Sequence, residues 1–597
     1  MILIFGGTTE GRNAVAVCDE AGKPYYYSTK TAAQKVESAN GIRLSGAMNE
    51  HEMLCFCNEH KVRLIVDSAH PFAEVLHQNI AFVAEELNIP VIRYERNYPE
   101  REKEFLWFDT YGDAVDYLLN NHIASLLALT GVNTLVKLKA YWEKYDCWFR
   151  ILDRKESLDM VKKQGFPMKR VLFYDERKDE EEVLKQLKPQ AIITKESGET
   201  GGFKEKVQAA KAQGICVLVV KRPVLSDRFI PVYGNNGLRR QIEKWLPDFF
   251  ELKTGYTTGT CATAATAAAL ITLLSGEIND SISVELPNGE GLEIPIWRTK
   301  QEEGRVTCSV IKDAGDDPDV TNGLEIRSTV ELNRQTDKVN FLQGEGIGVV
   351  TLPGLGLEMG GPAINATPRA MITNEVVKIL KQYNYQVGLD VTLSVPKGEE
   401  IARKTFNPKL GIEGGISIIG TSGIVKPFSS DAFMGAIRRE MQVAKALDCT
   451  HVVINSGAKS EHFIKELYPD YPQQAFIHYG NFIGETIQMA SEFDFEKLTL
   501  GLMIGKAVKL AEGALDTHSK KTVMNKAFLI GIAEQLEYSS VVIEKIENIT
   551  LARELWDIVD EDFLKLLIRK CYEVCKPLFP KGDLNVLLVG EEGKISY

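Results

Sequence analysis

Two short loops of glycine and threonine stand directly before predicted helices. The first is Gly6–Arg12 (GGTTEGR), which follows the apolar run Ile2–Phe5, and the second is Thr257–Thr260, which precedes an Ala-rich stretch from Cys261. Such a loop leaves backbone N–H groups free at the positive end of a helix dipole, where an anion or a cofactor binds. A tight turn without ligand is the alternative for the first loop. The cofactor-binding residues predicted from the two loops are Gly6, Gly7, Thr8, Thr9, Glu10, Gly11, Arg12, Thr257, Thr258, Gly259 and Thr260.

Polar side chains also follow several predicted strands of the first half. His70 follows Arg63–Asp67, and a loop with three glycines follows Ala191–Thr194. Because the carboxyl ends of parallel strands are the edge where such sheets bind ligands, we predict His70 as a catalytic residue. A histidine that only hydrogen-bonds a turn is the alternative. The further cofactor contacts predicted at strand ends are Lys195, Ser197, Gly198, Ser28 and Lys30.

The end of the second predicted strand bears on the kind of cofactor. Ser28 and Lys30 stand where a carboxylate would bind the ribose 2′-hydroxyl of NADH. Hydroxyl groups and a lysine suit the 2′-phosphate of NADPH better. The sequence therefore favours NADPH over NADH.

The densest glycine-rich stretch of the second half is Gly411–Val425 (GIEGGISIIGTSGIV). Glycine lacks a Cβ, so its backbone can approach a flat ligand closely. We expect a strand and turn that contact a flat ligand, with a strand rich in β-bulges as the alternative. The predicted contacts are Gly414, Gly415, Gly420, Thr421 and Gly423.

Two polar segments of the second half are candidates for catalysis. Lys312–Thr321 (KDAGDDPDVT) contains four carboxylates, among them Asp316. Such a cluster is consistent with a cation site, with Asx-turns in a tight loop, or with a catalytic carboxylate. His518 lies between Thr517 and Ser519, and we predict it as an acid/base group, with a cap or a phosphate contact as the competing role.

The elements that must position these residues define an α/β protein. Short apolar strands alternate with helical patterns throughout the first half, which predicts two Rossmann-like parallel-sheet lobes at residues 1–122 and 123–249. The alternation of apolar and polar residues in Ser281–Leu286 suggests a half-exposed antiparallel sheet, so residues 250–597 are predicted to form a separate α+β half with two subdomains. The seam around Trp245–Leu252 is short and not rich in Gly or Ser.

Composition limits the class of protein. The chain has 597 residues, 44% of them hydrophobic and 25% charged, which is typical of a multidomain globular protein. A net charge of −12 argues against nucleic-acid binding. The N-terminus has no basic segment or cleavage site, and no apolar run suits a bilayer. Ten scattered cysteines form no CxxC pairs, so we expect reduced thiols, no metal site and a cytoplasmic protein.

The first half resembles the precorrin-6A reductase family of corrin (vitamin B12) synthesis. The resemblance rests on GGTTEGR, DSAHPFA at Asp67–Ala73, TKESGETGG at Thr194–Gly202 and KRP at Lys221–Pro223. It implies hydride transfer from a reduced nicotinamide to the macrocycle. The chain departs from the family at Ser68, where Thr is frequent, and at Glu196, where Asn is frequent.

The second half resembles the cobalt-precorrin-5B C-1 methyltransferase family of the same pathway. The main motifs are TGYTTGTCATAA, KDAGDDPDVT, GEGIGVVT at Gly344–Thr351 and NPKLGIEGGISIIGTSGIVKP at Asn407–Pro427, with GKAVKLAEG at Gly505–Gly513 and THS at Thr517–Ser519. The resemblance implies methyl transfer from S-adenosylmethionine to a carbon of a cobalt-containing tetrapyrrole. It also implies a non-Rossmann fold, which agrees with the missing G-x-G near the start of this half. Asn365–Pro368 departs from the family, which usually has Asn-Pro there.

Together the two resemblances imply a bifunctional enzyme whose second half makes the substrate of its first half. We also expect a homo-oligomer and transient contacts with other corrin-pathway enzymes. A tetrapyrrole carrier or scaffold and, for the second half, a small-molecule kinase are the alternatives; the kinase lacks support because no G-x-x-x-x-G-K-[ST] motif is present. The cations proposed to hold a polycarboxylate substrate are Arg12, Arg93, Arg96, Lys195, Arg222, Arg369, Lys404 and Lys426.

Overall fold

The computed structural model describes residues 1–31, 36–175, 180–517, 524–590 and 593–597. The chain forms two compact units. The first comprises residues 1–253 with 289–292, and the second comprises residues 254–288 with 293–597.

The first unit alternates strands and helices along its length. Its strands are β1 Ile2–Phe5, β2 Tyr25–Thr29, β3 Gly41–Ser45, β4 Leu64–Asp67, β5 Val91–Glu95, β6 Leu106–Phe108, β7 Ser125–Ala128, β8 Asp146–Ile151, β9 Val171–Phe173, β10 Ala191–Lys195, β11 Cys216–Val220 and β12 Phe229–Tyr233. Its helices are α1 Thr9–Asp19, α2 Glu50–Glu59, α3 Glu74–Leu87, α4 Tyr111–Asn120, α5 Lys139–Trp142, α6 Lys155–Lys163, α7 Glu180–Leu187, α8 Phe203–Ala212 and α9 Gly234–Trp245.

These strands form two six-stranded sheets in which every pair is parallel. The first sheet has the order β12-β5-β4-β1-β2-β3, and the second has the order β6-β11-β10-β7-β8-β9. Each contains the Rossmann pattern in which the chain reverses direction across the sheet, between β1 and β4 and between β7 and β10. The prediction of two Rossmann-like parallel lobes is confirmed.

Each lobe contains one strand from beyond the boundary that the sequence predicts between residues 122 and 123. Strand β6 precedes that boundary but pairs with β11 of the second sheet. Strand β12 follows it but pairs with β5 of the first sheet. The sequence reading missed both strands, β6 being only three residues long and β12 interrupted by Pro231.

The chain from Gly255 onward contains strands of two to nine residues and helices of up to 18 residues. Its strands are β13 Gly255–Tyr256, β14 Ser281–Glu285, β15 Gly291–Pro295, β16 Arg298–Glu302, β17 Arg305–Ile311, β18 Glu325–Asn333, β19 Val339–Gln343, β20 Val349–Val350, β21 Gly388–Ser394, β22 Ile412–Glu413, β23 Ile424–Val425, β24 His451–Asn455, β25 Phe476–His478, β26 Lys497–Met503, β27 Asp583–Val589 and β28 Ile595–Ser596. Its helices are α10 Thr258–Ser275, α11 Ala366–Gln382, α12 Gly398–Ala402, α13 Ser430–Ala446, α14 Ala458–Lys465, α15 Ile483–Glu492, α16 Ile504–Leu510, α17 Lys526–Gln535, α18 Ser540–Asn548, α19 Leu555–Ile558 and α20 Glu561–Cys575.

Two five-stranded sheets organise the second unit. One has the order β16-β17-β18-β21-β19 and is antiparallel except for the β19–β21 pair. The other has the order β25-β24-β26-β27-β28, and its first four strands are parallel. This unit therefore differs from the Rossmann lobes, as predicted, although the sequence reading did not anticipate its parallel sheet.

Helix α10 is the core of the antiparallel part. Its Ala and Thr side chains are buried from Thr258 to Leu270, and it packs against β17, β18 and α11. The Thr266 and Ser328 hydroxyls hydrogen-bond at 2.7 Å inside this contact. Within the described part of the chain, α10 is the one helix long and apolar enough to cross a membrane, and 78% of that stretch is buried in the fold.

Both loop-to-helix junctions begin their helices earlier than predicted. Helix α1 begins at Thr9 rather than Asn13, and α10 begins at Thr258 rather than Cys261. The reason is the same in both cases, since the preceding threonine caps the helix. Thr8 accepts a hydrogen bond from the Gly11 N–H, and Thr257 accepts one from the Thr260 N–H.

Candidate functional site

A cavity of about 1020 Å³ lies at the carboxyl ends of the strands in the first unit. His70, which follows β4, lines it from the first sheet. Gly131, which follows β7, and Ser197, which follows β10, line it from the second. These residues mark the points where strand order reverses, which is where open parallel sheets bind ligands. The predicted contacts His70, Lys195 and Ser197 therefore meet in one cavity.

His70 is held as a neutral imidazole. Its Nδ1 accepts a hydrogen bond from the Phe72 N–H at 3.2 Å, so the ring proton is on Nε2. Burial, together with the cations Arg96 and Lys195, lowers the pKa of His70 to about 3. At neutral pH the ring can therefore donate a hydrogen bond through Nε2, but it does not carry the extra proton of a general acid.

Charged side chains of both signs line the cavity: the cations are Arg150, Lys195 and Lys206, and the carboxylates are Asp175, Glu180, Glu181 and Glu205. Burial lowers the pKa of Lys195 to about 8, helped by Lys137, and its ammonium lies 5.3 Å from the centroid of the Phe72 ring. Burial and Arg150 lower the pKa of Lys206 to about 8 as well. Below that pH both lysines are cations, which suits a ligand with several carboxylates.

Arg96 connects the first sheet to the loop that follows β10. Its guanidinium lies 3.0 Å from the Glu10 carboxylate and donates to the Ser197 carbonyl at 2.7 Å. The Thr200 hydroxyl donates to the other Glu10 oxygen at 2.7 Å. Burial alone would raise the pKa of Glu10, but Arg96 and Thr200 outweigh it and hold that pKa below its usual range. Glu10 and Arg96 therefore join the two lobes. We had expected Glu10 to contact the cofactor and Arg96 to contact the substrate.

Gly198 continues the same junction. It has φ +73°, and a Cβ there would lie 3.0 Å from the Asn97 carbonyl oxygen. The Glu199 N–H donates to that carbonyl at 3.1 Å. The glycine is thus required by the approach of two chain segments.

The loop Gly6–Arg12 is packed at most of its residues. A Cβ on Gly6 would collide with the Tyr27 ring at 2.4 Å, and one on Gly11 would lie 2.9 Å from the Gly6 Cα. The Thr8 hydroxyl donates to the Ser68 carbonyl at 2.7 Å. Gly7, by contrast, is exposed with φ +103° and open space at its Cβ position. The part of this loop that a cofactor can reach is centred on Gly7.

Exposed polar groups surround that loop. Thr9, Arg12 and Lys30 are exposed, and Arg12 donates to the Thr9 hydroxyl at 3.0 Å. Ser28 is buried, and its carbonyl accepts a hydrogen bond from the Gly6 N–H. The basic side chains Arg12 and Lys30, rather than the Ser28 hydroxyl, are therefore the accessible candidates for a cofactor phosphate.

Arg93 is not available to a substrate. It is buried, and its guanidinium donates to Asp67 at 2.8 Å and to the Ala69 carbonyl at 3.0 Å. His77 lies 2.9 Å from the same Asp67 oxygen. Arg93 therefore stabilises the end of β4, which corrects its assignment as a substrate cation.

Glu196 does not present a free carboxylate to the cavity. Arg101 donates to both of its oxygens, at 2.9 and 3.0 Å, and the Arg222 N–H donates at 3.0 Å. The Arg222 guanidinium stacks 3.6 Å from the centroid of the Tyr98 ring. The departure from the reductase family at Glu196 is thus compensated inside the fold.

In the second unit the start of α10 meets the glycine-rich stretch. The Gly259 N–H donates to the Ile419 carbonyl at 2.9 Å, and the Ile419 N–H donates to the Thr258 hydroxyl at 2.8 Å. The Thr260 hydroxyl donates to the Gly423 carbonyl at 2.6 Å. Helix N–H groups that we expected to bind an anion are therefore occupied by the chain itself.

The glycines of this stretch divide into two groups. A Cβ on Gly415 would lie 2.3 Å from the Gly346 carbonyl oxygen, one on Gly420 would lie 2.3 Å from the Thr257 hydroxyl oxygen, and one on Gly423 would lie 2.6 Å from Leu286. These three allow close packing within the protein. Gly414 and Thr421 are exposed, so they are the predicted contacts that a ligand can still reach. The strand expected here is reduced to two short segments, β22 and β23.

The acidic segment Lys312–Thr321 packs against the residues that precede α10, since the Tyr256 N–H donates to the Asp313 carbonyl at 2.6 Å. Buried Lys312 donates to Asp319 at 2.6 Å, and the Thr321 N–H and hydroxyl donate to the other Asp319 oxygen. Asp313 accepts from the Gly315 N–H at 2.8 Å. These contacts favour the Asx-turn interpretation for Asp313 and Asp319. Asp316 is exposed.

The remaining predicted residues of the second half are dispersed. His518 lies outside the described residues. Arg369 donates to the Ile364 and Pro362 carbonyls, which uses its guanidinium within the fold. Lys404 and Lys426 are exposed.

Sequence reasoning missed two cations of the first cavity, Arg150 and Lys206. Arg150 lies in β8, whose sequence DCWFRI alternates between buried and less buried residues. Such alternation is typical of a strand. Arg150 pairs with Glu180 at 2.6 Å. Lys206 lies in the first turns of α8, directly after the Gly201-Gly202 pair, and donates to the Gly201 carbonyl at 2.7 Å. The sequence could have indicated Lys206 as a site residue, because a lysine in the first turns of a helix that follows a glycine loop is well placed to bind an anion.

Comparison with known proteins divides the chain at the same place as the motifs. Residues 1–238 match the family model "Precorrin-6x reductase CbiJ/CobK". Residues 247–427 match the model "CbiD", and residues 516–597 match "CbiD, C-terminal domain".

Similar proteins carry one consistent name for the second half. The cobalt-precorrin-5B C(1)-methyltransferase of Prosthecochloris aestuarii is 44% identical over 353 residues, which is 58% of this chain and 96% of that protein. The enzyme of the same name from Geobacillus kaustophilus is 42% identical over 324 residues, 54% of this chain and 87% of that protein.

Solved structures resemble each half. A cobalamin biosynthesis protein (cbiD) from Archaeoglobus fulgidus is 28% identical, covers 45% of this chain and 83% of its own, and has a TM-score of 0.26. A CobK precorrin-6A reductase is 19% identical, covers 41% of this chain and 97% of its own, and has a TM-score of 0.34.

Proposed function

Because the chain belongs to the cobalt-precorrin-5B C(1)-methyltransferase family and carries a precorrin-6x reductase domain before it, we propose that it catalyses two successive steps on one macrocycle. The second half transfers a methyl group from S-adenosylmethionine to C-1 of cobalt-precorrin-5B, which gives cobalt-precorrin-6A. The first half then reduces cobalt-precorrin-6A to cobalt-precorrin-6B with a reduced nicotinamide cofactor. Residues 1–249 and 250–597 are the proposed limits of the two enzymes.

The observation that carries the reductase proposal is the cavity at the two strand reversals. Apolar residues such as Leu129 and Ile151 line it, together with Lys195 and Lys206, which can pair with carboxylates of a flat ligand; carboxylates of the protein, such as Glu180 and Glu205, lie in the same lining. His70 donates a hydrogen bond from Nε2 to the macrocycle atom at which charge develops during hydride transfer. The cofactor supplies the hydride, and these residues orient the substrate and stabilise its charge.

NADPH is the proposed reductant. Arg12 and Lys30 are exposed beside the open Gly7, so their positive charges are available to the 2′-phosphate. NADH lacks that phosphate and would leave both cations unused. The comparison of Kd values for the two cofactors tests this choice.

In the methyltransferase half, the exposed residues beside the start of α10 are the proposed contacts of the macrocycle. Gly414, Ile419 and Thr421 are exposed there, and Lys426 adds a cation for a carboxylate. Phe428 is 70% exposed and offers an apolar surface to a flat ring. Methyl transfer then depends mainly on alignment of the ring carbon with the sulfonium methyl group.

Covalent fusion of two consecutive enzymes favours use of the intermediate by the same chain. A tethered second site experiences an effective concentration of roughly millimolar for short linkers. One variant with the reductase half disabled at His70 and one with the methyltransferase half disabled at Gly420 can be mixed. A lower flux for the mixture than for the intact chain at low enzyme concentration supports direct use of the intermediate, and equal fluxes contradict it.

The test of the bifunctional proposal against a carrier or scaffold is ligand binding by calorimetry. The full chain should bind both S-adenosylmethionine and NADPH. Binding of neither ligand would favour a tetrapyrrole carrier. Cytoplasmic localisation, self-association and contacts with neighbouring pathway enzymes are proposed from the pathway and are tested separately by fractionation and light scattering.

A further inference from the structure

A histidine and a glutamate pair at the carboxyl ends of two parallel strands in the second unit. His478 is the last residue of β25, and Glu461 lies in α14, the helix that follows β24. The Nε2 atom of His478 lies 2.6 Å from a carboxylate oxygen of Glu461. Strands β24 and β25 are parallel neighbours, and the carboxyl ends of such strands form the edge where open sheets bind ligands. The macrocycle contacts proposed above do not include this pair.

Glu461 fixes the tautomer of His478. Burial raises the pKa of Glu461, but the contacts with His478 and Lys465 outweigh it and lower that pKa to about 2. Lys465 lies 2.6 Å from the other carboxylate oxygen. Glu461 is therefore ionised at neutral pH and only accepts hydrogen bonds, so Nε2 of His478 carries a proton. In the neutral imidazole the lone pair is then on Nδ1.

Nδ1 of His478 is accessible. It has no hydrogen-bond partner among the described residues, yet it is not an enclosed atom, and 20% of the side chain is exposed. His451 in β24 differs, because both of its nitrogens are occupied, by the Tyr471 hydroxyl at 2.7 Å and by the Thr499 hydroxyl at 2.8 Å. Of these two histidines, His478 is the one with a nitrogen that can accept a proton from a bound molecule.

The residues before the glycine-rich stretch bring His478 close to the proposed macrocycle contacts. The Phe406 ring meets the His478 ring edge-on, with 6.2 Å between centroids, and is 46% exposed. The side-chain amide of the next residue, Asn407, donates to the Gly415 carbonyl at 3.0 Å. Gly415 adjoins the exposed Gly414, which we assign to the macrocycle. Exposed Gly414 and exposed Phe406 are thereby held close together, and His478 lies beside the latter.

A second contact fixes the same segment to the sheet. The side-chain amide of Gln474, which precedes β25, donates to the Lys409 carbonyl at 3.0 Å. The ammonium group of Lys409 is buried and pairs with Glu440 of α13 at 2.5 Å. The position of His478 relative to the glycine-rich stretch is therefore set by several contacts within the second unit.

Methyl transfer requires a group that accepts a proton. S-adenosylmethionine is a sulfonium cation and leaves as a neutral thioether, while the macrocycle exchanges one hydrogen for the methyl group. The macrocycle supplies the electron pair of the new bond at C-1, the electrons of the broken sulfur–methyl bond stay on sulfur, and one proton is released. We propose that His478 accepts this proton at Nδ1, with Glu461 as the positioning residue that orients the imidazole. The inference rests on the proposed methyl transfer by this half of the chain.

Single-turnover methyl transfer by full-length variants tests the catalytic role. His478→Ala should slow the reaction by roughly 10²-fold or more, as expected for loss of a general base, and added imidazole should restore part of the rate. Glu461→Gln should slow the wild type but add little in the His478→Ala background, because it acts through His478. His462→Ala is the matched control, since His462 is an exposed histidine of the same helix, α14. Unchanged binding of S-adenosylhomocysteine verifies that each variant is folded.

Chemical modification tests the accessible nitrogen without an activity measurement. Diethyl pyrocarbonate acylates imidazole nitrogens that are accessible and unprotonated. Peptide mass spectrometry should find His478 modified and His451, whose two nitrogens are occupied, unmodified. Cobalt-precorrin-5B should protect His478 from the reagent.

The outcomes separate the assignment from the function. A wild-type rate in His478→Ala, a loss that imidazole does not restore, equal effects of Glu461→Gln in both backgrounds, or an unmodified His478 would overturn the role of His478 and leave the methyltransferase function intact. A full rate in His478→Ala together with a loss in His518→Ala would assign the acid/base role to His518. A wild-type chain that transfers no methyl group would contradict the function itself.

Discussion

Arg96 and Glu10 form a buried ion pair, with 3.0 Å between Nη2 of the arginine and Oε2 of the glutamate. Arg96 follows β5 and Glu10 lies in α1, so both belong to the first lobe, yet each also bonds to the loop that follows β10. The pair thereby fixes the cavity edge at which His70 and Ser197 meet. Its primary role is to position the two lobes.

Replacing Arg96 should destabilise the first unit strongly. Arg96→Met leaves the Glu10 carboxylate buried without its cation, and removal of one partner from a buried pair typically costs about 3–5 kcal/mol. Lys185→Met, which removes an exposed pair with Glu181, should cost less than about 1 kcal/mol. Urea unfolding followed by circular dichroism compares the two variants, and similar losses would argue against a special role for Arg96.

The chemistry of His70 is tested with two substitutions that separate its nitrogens. Gln places an N–H donor near the position of Nε2, whereas Asn places its amide near Nδ1 and provides no donor at Nε2. We expect His70→Asn to reduce single-turnover oxidation of NADPH by roughly 10²-fold and His70→Gln to retain more activity.

The pH dependence of the reductase rate tests whether His70 acts as a neutral imidazole. Since burial and nearby cations place the pKa of His70 near 3, its protonation should not affect the rate between pH 5 and 8. A rate that falls with an apparent pKa of about 6.5 and loses this dependence in His70→Gln would show that the imidazolium takes part.

Substrate affinity of the reductase half should decrease in mild alkali. Lys195 and Lys206 have pKa values of about 8, so both are cations below that pH and lose their charge as pH rises through it. The KM for cobalt-precorrin-6A should therefore rise above pH 8. In the double variant Lys195→Arg, Lys206→Arg the charge persists, because arginine stays protonated, and the KM should remain constant over this range. A rise of equal size in both enzymes would exclude the two lysines.

Gly420 should be intolerant of a side chain. Gly420→Ala places a Cβ 2.3 Å from the Thr257 hydroxyl oxygen at φ +141°, which should destabilise the second unit by about 1–3 kcal/mol or more. Gly435→Ala is the control, because that helical glycine has open space at its Cβ position, and it should be neutral or stabilising by about 0.5–1 kcal/mol. Thermal unfolding and methyl transfer together measure the effect. Equal stability of the two variants would contradict the close packing of Gly420 on Thr257.

The acidic segment is predicted to depend on Lys312 rather than on a metal ion. Burial raises the pKa of Asp319, but Lys312 outweighs it and holds that pKa below the usual value of 3.8. The stabilisation is therefore complete above that value and is lost as pH falls below it toward the folded-state pKa. Asp319→Asn should lower the unfolding temperature, and Mg²⁺ or Ca²⁺ should leave the wild type unchanged. Stabilisation by either cation that Asp319→Asn abolishes would restore the cation-site interpretation.

Local patterns predicted the parallel lobes and their ligand edge well. Short apolar strands such as Ile2–Phe5 and Cys216–Val220 have the observed bounds, because runs of buried apolar residues specify parallel strands locally. His70, Lys195 and Ser197 were placed at one edge because the topology of parallel sheets brings carboxyl ends together.

Side-chain partners could not be predicted in the same way. Glu10 and Arg93 were interpreted as ligand contacts, yet each pairs with residues between 26 and 190 positions away in the sequence, namely Arg96, Thr200 and Asp67. Pairing over that distance depends on how the elements pack. The same holds for Gly415 and Gly420, whose glycine character serves packing inside the protein.

The central claim is that one chain methylates a macrocycle and then reduces the product. Anaerobic incubation of the intact chain with cobalt-precorrin-5B and S-adenosylmethionine, with and without NADPH, tests it by mass spectrometry. We predict a product with one methyl group in place of a hydrogen, which gains two further hydrogens only when NADPH is present. An unchanged mass in the presence of S-adenosylmethionine, or a methylated product that NADPH does not convert, would contradict the account.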